Sequence, residues 1–350
     1  TCMMMFFLTM VASACNEESK ERVKASTKGE IFEFVITDSS EFERRPDLIW
    51  GREHYFVIWV QAHSDERIVF DLQGRRLSSQ GCALDFEKLT IEEDIDVSSS
   101  MKPSIAWDEK DFFIVWSERE GIFGKQITPE GIILDEEKIS ISQQGSSPML
   151  VWGDTLFLSV WMRYDHQEEK HDIYGTRITS DGSVLDPSKM PIATGRGNKY
   201  ATGIAWNGSN YFIVWNDLRS GEDYDIYGAR ATPEAEILDP EGISISMERM
   251  NQSGEKVAWN GEIFLVVWTD SRTEPDEDCE ECHPERFMDI YGARVTADGE
   301  VLDPEGIPIS TAVKQQSNPS VAWNGEVFLV VWRDMRGEPE SACPEPFWET

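Results

Sequence analysis

Short apolar segments bounded by turn residues recur along the chain at a regular spacing. In the clearest copy, residues 263–268 are apolar at every position and follow the turn dipeptide Asn260-Gly261, and they are too few for a helix. A strand with one wet face would alternate between apolar and polar residues, so both faces of this strand are predicted to be covered. Asp289–Thr296 and Ile307–Ser310 are predicted to complete a four-stranded antiparallel repeat.

A pair of tryptophans nine residues apart marks each copy of this repeat. The six pairs are Trp50/Trp59, Trp107/Trp116, Trp152/Trp161, Trp206/Trp215, Trp259/Trp268 and Trp323/Trp332. Sheets covered on both faces by copies of themselves are the blades of a β-propeller. We therefore predict an all-β propeller of four-stranded blades, each of about 50 residues, with at least six blades and the last one incomplete in this chain. A string of small β-sandwich modules is the alternative fold.

The chain is predicted to begin with an export signal. Residues 1–15 contain an apolar run of about ten residues, which is typical of a signal peptide and too short to span a bilayer. The run ends at Ala12-Ser-Ala-Cys15, which resembles a bacterial lipobox with Cys15 as the lipidated residue, although an ordinary secretory cleavage site is the alternative. Residues 16–45 are predicted to be a tether and an N-terminal strand, and residues 46–350 hold the repeats. The repeats are predicted near 46–100, 101–147, 148–200, 201–253, 254–317 and 318–350.

The acidic composition excludes one class of partner. The chain has 65 Asp and Glu against 32 Lys and Arg, which gives a net charge of −33. Such a surface repels phosphate backbones, so nucleic-acid binding is not expected. It favours divalent cations or basic partners, or it is simply a solvated acidic surface.

The repeat pattern Val-Ala-Trp-Asn-Gly, Leu-Val-Val-Trp-x-Asp-x-Arg and Asp-Ile-Tyr-Gly-x-Arg resembles that of bacterial secreted or lipid-anchored propeller-like proteins. The resemblance covers roughly residues 46–350. It implies a propeller at the cell envelope, and it brings no reaction with it. The repeated structural positions are Trp206, Trp215, Asp217, Arg219, Trp259, Trp268, Asp270, Arg272, Trp323, Trp332, Asp334 and Arg336.

The Asp-x-Arg motif after the second strand is interpreted as a structural salt bridge or turn clasp, because it recurs in every good repeat. Asp225 and Asp289, at the start of the third strand, are its expected partners. The alternative is an arginine cluster that binds anionic sugars. The glycines Gly175, Gly228 and Gly292 are expected to let a neighbouring tryptophan approach the backbone.

Function in a repeat protein is expected in the residues that do not repeat. The loops after the second strand vary most, and loops at this position should share one rim of a propeller. The candidate binding rim consists of Tyr164, His166, His171 and His283.

The repeat-five loop offers three further interpretations. Cys279, Cys282 and Cys343 are disulfide candidates in an exported protein. Cys279-Glu-Glu-Cys282-His283 also has the spacing of covalent c-type haem attachment, but its acidic surroundings disfavour haem. Asp276, Asp278 and Glu280 alternate as calcium ligands do, although Glu281 stands where such a loop needs glycine. No cofactor is firmly predicted, and calcium stays an alternative.

These features predict an exported, lipid-anchored propeller that serves as a binding or scaffold module at the outer membrane or cell surface. A periplasmic or secreted location is the alternative. The expected partner is an envelope polysaccharide or another protein, with membrane attachment through the lipid only. A carbohydrate-active hydrolase or lyase is the second hypothesis, and a c-type haem protein is the third.

Overall fold

The computed structural model describes residues 36–37, 42–62, 69–96, 101–186, 189–272 and 288–336. Regular secondary structure in these ranges consists of 22 β-strands. No helix within them is long and apolar enough to cross a membrane. The chain divides into two compact units, the first ending at Ile192 and the second starting at Ala193.

The first unit contains three four-stranded antiparallel sheets, here called blades 1 to 3. Blade 1 consists of β1 (Phe42–Gly51), β2 (His54–Ala62), β3 (Val69–Ser78) and β4 (Leu89–Asp96). Blade 2 consists of β5 (Ser104–Trp107), β6 (Phe112–Glu118), β7 (Gly121–Ile127) and β8 (Ile139–Ser142). Blade 3 consists of β9 (Ser146–Trp152), β10 (Phe157–Asp165), β11 (Lys170–Ile178) and β12 (Met190–Ala193).

The second unit repeats this plan in blades 4 to 6. Blade 4 consists of β13 (Lys199–Trp206), β14 (Tyr211–Asp217), β15 (Asp225–Ala231) and β16 (Ile243–Ser246). Blade 5 consists of β17 (Gln252–Trp259), β18 (Ile263–Asp270), β19 (Asp289–Thr296) and β20 (Ile307–Ser310). Blade 6 has two strands in the described residues, β21 (Gln316–Trp323) and β22 (Phe328–Asp334).

In each unit the first strands of successive blades lie side by side, so that β5 contacts β1 and β9, and β17 contacts β13 and β21. Within each four-stranded blade, every strand pairs with its neighbours in the chain. Four-stranded sheets that stack in this way are propeller blades, and the predicted all-β propeller class is confirmed.

Hydrophobic clusters fill the space between neighbouring blades. Strand β14 is buried at all seven of its positions. Its Phe212 and Val214 pack in one cluster with Phe264 and Val266 of β18, and the two phenylalanine rings lie 4.7 Å apart. Burying each such side chain stabilises the fold by about 1.5–3 kcal/mol. The continuous apolar strands therefore cover one another, as their sequence pattern predicts.

Strand β22 departs from this prediction, although its sequence closely matches that of β18. Its burial alternates along the strand, and Leu329 and Val331 are 49% and 37% exposed. In β18, Val267 stands at the position of Val331 and is fully buried. In blade 1, Leu48 and Trp50 of β1 are each 45% exposed. Closely similar apolar segments are therefore buried in β18 and partly exposed in β22, a difference that the strand's own sequence does not encode.

A set of ion pairs that the sequence analysis did not predict fixes the turn after the third strand. In blade 4, Arg230 donates two side-chain hydrogen bonds and its backbone N–H to Asp239. Other blades repeat this pair as Arg76–Asp85, Arg177–Asp186 and Arg294–Asp303. In blade 2, Gln126 replaces the arginine and donates to the carbonyl of Ser180 in blade 3 at 2.6 Å. These side chains therefore join turns within blades and between them.

The repeated glycines of the third strand are required for close packing, but their neighbours differ from the prediction. A Cβ at Gly228 would lie 2.8 Å from Phe212, and one at Gly175 would lie 2.8 Å from Ile192. At Gly292 the obstruction is the carbonyl oxygen of Val266, at 2.9 Å. The expectation that tryptophans approach these glycines is wrong, because Phe and Ile side chains and the adjacent strand occupy that space.

Candidate functional site

A clasp of four side chains closes the end of the second strand in blade 4. The buried indole Nε1 of Trp215 donates to Asp217 at 2.9 Å, and the guanidinium of Arg219 donates to the same carboxylate at 2.5 Å. Arg219 also stacks on Tyr227, with its guanidinium carbon 3.9 Å from the ring centroid. Although burial opposes its charge, the bond to Asp217 raises the pKa of Arg219. Blade 5 repeats these contacts with Trp268, Asp270, Arg272 and Tyr291.

Blade 2 builds the same clasp from different residues. The indole of Trp116 donates to Glu118 at 2.8 Å, and Lys138 donates to the same carboxylate at 2.6 Å. The ammonium of Lys138 lies 4.5 Å from the ring centroid of Phe123. An indole N–H, a carboxylate, a cation and an aromatic ring therefore define the clasp, whichever side chains supply them.

The Asp-x-Arg motif thus forms an internal clasp. Arg219 and Arg336 bind the aspartate two residues before them, Asp217 and Asp334. Asp225 lies opposite Asp217 in strand register, but the ion pair that Arg219 makes is with Asp217. The same holds for Arg272, which pairs with Asp270.

Blade 3 lacks the carboxylate of the clasp. Arg163 occupies the position of Asp217 and Glu118, two residues after the strand's tryptophan. The Nε1 of Trp161 is fully buried and has no hydrogen-bond partner among the residues that the structure describes. The guanidinium of Arg163 lies 4.3 Å from the ring centroid of Tyr174, and it makes no ion pair with the described residues.

The hairpin beyond this position carries three predicted rim residues. Strands β10 and β11 stay paired out to Asp165 and Lys170, which places Tyr164 opposite His171. The Tyr164 side chain is 41% exposed, and the rings of His166 and His171 each lie 5.0 Å from it. We call Tyr164, His166 and His171 the hairpin surface. It presents an exposed aromatic ring flanked by two hydrogen-bonding imidazoles.

The base of the hairpin is cationic. Lys189 directly precedes β12, as Lys138 directly precedes β8 in blade 2. Lys138 is paired with Glu118, whereas burial and the charge of Arg163 both lower the pKa of Lys189. Blade 3 therefore keeps the indole N–H and has two cations, Arg163 and Lys189, near enough to interact, but it lacks the carboxylate of the other clasps.

Blade 4 holds a separate group of carboxylates. Asp225 is buried across from Asp217, and burial, followed by the charges of Asp223 and Asp217, raises its pKa to about 6. The rings of Tyr200 and Tyr224 lie 5.8 Å apart in the same blade. A carboxyl group with a raised pKa beside other carboxylates is a feature of acid–base sites, and also of structural acidic clusters.

Several predicted sites lie outside the described residues. These are Cys15, Asp276, Asp278, Cys279, Glu280, Cys282, His283 and Cys343, together with most of the predicted tether. Their lipidation, disulfide, calcium and haem roles stay predictions. Within the described ranges, no group of three or more His, Cys, Asp and Glu side chains is arranged to hold a metal.

Sequence reasoning singled out Tyr164, His166 and His171, but it assigned no functional role to Trp161, Arg163 or Lys189. The signal was present in the sequence. When the repeats are aligned on their second tryptophan, the residue two positions later is acidic in blades 2, 4, 5 and 6 and is arginine in blade 3.

The fold defines the class of protein, an all-β propeller. No protein-family model matches the chain, and no curated protein matches it. A subtype N11 neuraminidase-like protein of A/flat-faced bat/Peru (H18N11) is similar in structure, with a TM-score of 0.51 and 10% identity over 82% of this chain and 79% of that one. An endo-1,4-β-xylanase from Bacteroides thetaiotaomicron has a TM-score of 0.44 and 13% identity, and the match covers 80% of this chain and 97% of that one. An α-L-arabinofuranosidase from Lactobacillus brevis has a TM-score of 0.44 and 11% identity, and the match covers 77% of this chain and 95% of that one.

Proposed function

We propose that this chain is an exported propeller that binds polysaccharide at the bacterial cell envelope through the hairpin surface of blade 3. The observation that carries this proposal is the exposed ring of Tyr164 with His166 and His171 beside it. Sugar rings present apolar C–H faces and a rim of hydroxyls. An exposed tyrosine ring packs against such a face, and imidazole nitrogens donate to or accept from hydroxyls.

One carboxylate of this hairpin, Asp165, is already engaged by the backbone. Asp165 Oδ1 accepts the backbone N–H groups of Gln167 and Glu168, and these bonds lower the pKa of Asp165. A catalytic acid would need a raised pKa and a free oxygen that can reach the substrate. Asp165 is therefore unsuited to be a catalytic acid, and the exposed ring of Tyr164 favours a role in recognition.

The binding test compares matched aromatic substitutions. Tyr164→Ala should weaken binding to envelope polysaccharide fractions by about two- to tenfold, since a stacked aromatic contact contributes about 0.5–1.5 kcal/mol. Phe86→Ala is the control, because Phe86 is 97% exposed and lies in blade 1. Affinity gel electrophoresis against a panel of polysaccharides measures the change. Equal binding by the two variants would refute the assignment of the hairpin surface.

The cell-envelope location rests on the sequence around Cys15 and is tested separately. Labelled palmitate should be incorporated into the wild-type chain and not into Cys15→Ser. A labelled Cys15→Ser protein would contradict the lipid anchor, while export itself would be checked by fractionation. Membrane attachment is proposed through the lipid alone.

A carbohydrate-active enzyme is the second candidate function. The observation that favours it is Asp225, whose pKa of about 6 suits a general acid next to Asp217 and Asp223. Activity on polysaccharide that is lost in Asp225→Asn and retained in Tyr164→Ala would favour the enzyme. Asp225 is only 6% exposed, so a substrate would have limited access to it.

A further inference from the structure

Comparison of the blades shows what blade 3 has lost and what it has kept. In blades 2, 4 and 5, a carboxylate joins the buried indole N–H to a cation. Blade 3 keeps the indole of Trp161 and the aromatic ring of Tyr174. Its Lys189 stands before the fourth strand, where blade 2 has Lys138. It replaces the carboxylate with Arg163, a second cation.

The donors of blade 3 therefore lack the carboxylate that their counterparts in blades 2, 4 and 5 bind. The indole Nε1 of Trp161 is hidden from solvent and unbonded within the described part of the chain. A buried polar group in that state costs about 1–3 kcal/mol relative to one with a partner. Arg163 is half-buried over Tyr174, and neither Arg163 nor Lys189 makes an ion pair with a described residue. Cations that are partly desolvated and unpaired are favourable positions for an anionic ligand.

We propose that blade 3 binds a carboxylate group of a ligand between Arg163 and Lys189, at the place that Asp217 and Glu118 fill in their own blades. The two half-buried cations contact the ligand first. The indole N–H of Trp161 becomes satisfied when a carboxylate oxygen reaches the position of the missing side chain. Guanidinium binds the planar carboxylate through two parallel N–H donors, and the lysine acts as a point charge.

The ligand chemistry is a single carboxylate, carried either by a uronic acid residue of a polysaccharide or by a small free acid. The chain's net charge of −33 repels densely charged polyanions at long range. Salt screens this repulsion beyond about 8 Å at physiological ionic strength. A saccharide with spaced carboxylates therefore fits the site better than a continuous polyanion. The carboxylate site does not depend on polysaccharide binding at the hairpin surface. Only the choice of an acidic saccharide as the ligand rests on the proposed function.

Arg163→Glu is the most informative substitution, because it copies the clasp of blade 2. The new carboxylate can accept the indole N–H of Trp161 and pair with Lys189, as Glu118 does with Trp116 and Lys138. The site would then be filled from within, so carboxylate binding should be lost while the fold is kept. Arg52→Gln is the matched control, since Arg52 is an exposed arginine that pairs with Glu130 in the same unit.

Calorimetric titration of the full chain measures binding to an oligosaccharide that carries a single galacturonate residue, a neutral xylo-oligosaccharide of equal length, and free galacturonate. Wild type and Arg52→Gln should bind the acidic oligosaccharide about tenfold or more tightly than the neutral one. Arg163→Glu and Lys189→Gln should remove that preference. Tyr164→Ala should weaken binding of both oligosaccharides and leave their ratio unchanged.

The outcomes separate the two proposals. Binding of both oligosaccharides with no preference for the acidic one overturns the carboxylate site and leaves polysaccharide binding standing. Binding of free galacturonate that depends on Arg163, without any binding of oligosaccharides, supports the site and overturns the proposed function. A preference that survives in Arg163→Glu, or no binding of any probe, also overturns the site.

Discussion

The missing clasp of blade 3 leads to a stability prediction that needs no ligand. Arg163→Glu should stabilise the protein, although it adds a negative charge to a chain that already carries −33. The gain comes from the buried Nε1 of Trp161, which has no described partner in the wild type and gains one in the variant. Satisfying such a group contributes about 1–3 kcal/mol.

Two opposing contributions reduce this gain. The stacking of Arg163 on Tyr174 is lost, at a cost of about 0.5–1 kcal/mol, although Lys189 can take its place as Lys138 does over Phe123. The new carboxylate would also lie opposite Asp172 in strand register, where like charges repel. The net effect is therefore expected to be about 1 kcal/mol of added stability. In a unit of this size that raises the Tm by about 2–4 °C.

Urea denaturation of Arg163→Glu, Arg163→Met and wild type measures the effect at neutral pH. Arg163→Met is the control, because it removes the same cation and supplies no acceptor, so it should be no more stable than wild type. The indole N–H of Trp161 should also exchange more slowly with solvent in Arg163→Glu. If Arg163→Glu and Arg163→Met unfold at the same urea concentration, the indole has no need of an acceptor, and the reasoning fails.

Three further predictions concern other parts of the chain. Ionisation of Asp225 opposes folding, because its pKa is raised from 3.8 to about 6. Asp225→Asn should therefore be more stable than wild type by about 1–3 kcal/mol at pH 7. In urea titrations this advantage should decline below pH 6 and be absent below pH 4. Gly228→Ala should destabilise the protein by about 1–3 kcal/mol, because the new Cβ would lie 2.8 Å from the ring of Phe212. In a double-mutant cycle, adding Phe212→Leu should recover part of this loss. The purified exported protein should show no Soret absorbance, and a Soret band lost in Cys282→Ser would restore the haem interpretation of the repeat-five loop.

The blades were predictable from sequence because their signals are local. Continuous apolar runs, Asn-Gly turns and the tryptophan spacing each act within a few residues, and they predict strands such as β14 and β18 correctly. The turn itself is closed by Asn260, whose side chain accepts the N–H groups of Glu262 and Ile263. Such contacts depend on near neighbours, so the sequence pattern encodes them directly.

Contacts between side chains of different strands were predicted less well. The sequence indicated a clasp at Asp217 and Arg219, but the indole of Trp215 as its third member emerges only from the rotamers of the folded strand. The exposure of Leu329 on β22 is not indicated by its own strand, whose sequence closely matches that of β18. The unpaired donors of blade 3 are a property of the whole clasp, and in the sequence they are indicated only when Arg163 is compared with the acidic residues of the other repeats.

Repetition within one chain separates structural residues from functional candidates without any related sequence. Lys199 is fully buried and lies 3.8 Å from Asp217, which would ordinarily suggest an active site. Its amine donates to the carbonyls of Arg196 and Gly197. The glutamines at the same position in the next blades, Gln252 and Gln316, also donate to carbonyls of the turn before the strand. Lys199 therefore does in blade 4 what a neutral amide does elsewhere, and its role is structural. Arg163 differs from Lys199 in this respect. It replaces the carboxylate acceptor that the clasps of blades 2, 4 and 5 share, while the donors of blade 3 stay in place. A substitution that breaks a repeated contact without replacing it marks a candidate ligand position, and this is the basis of the carboxylate site proposed for blade 3.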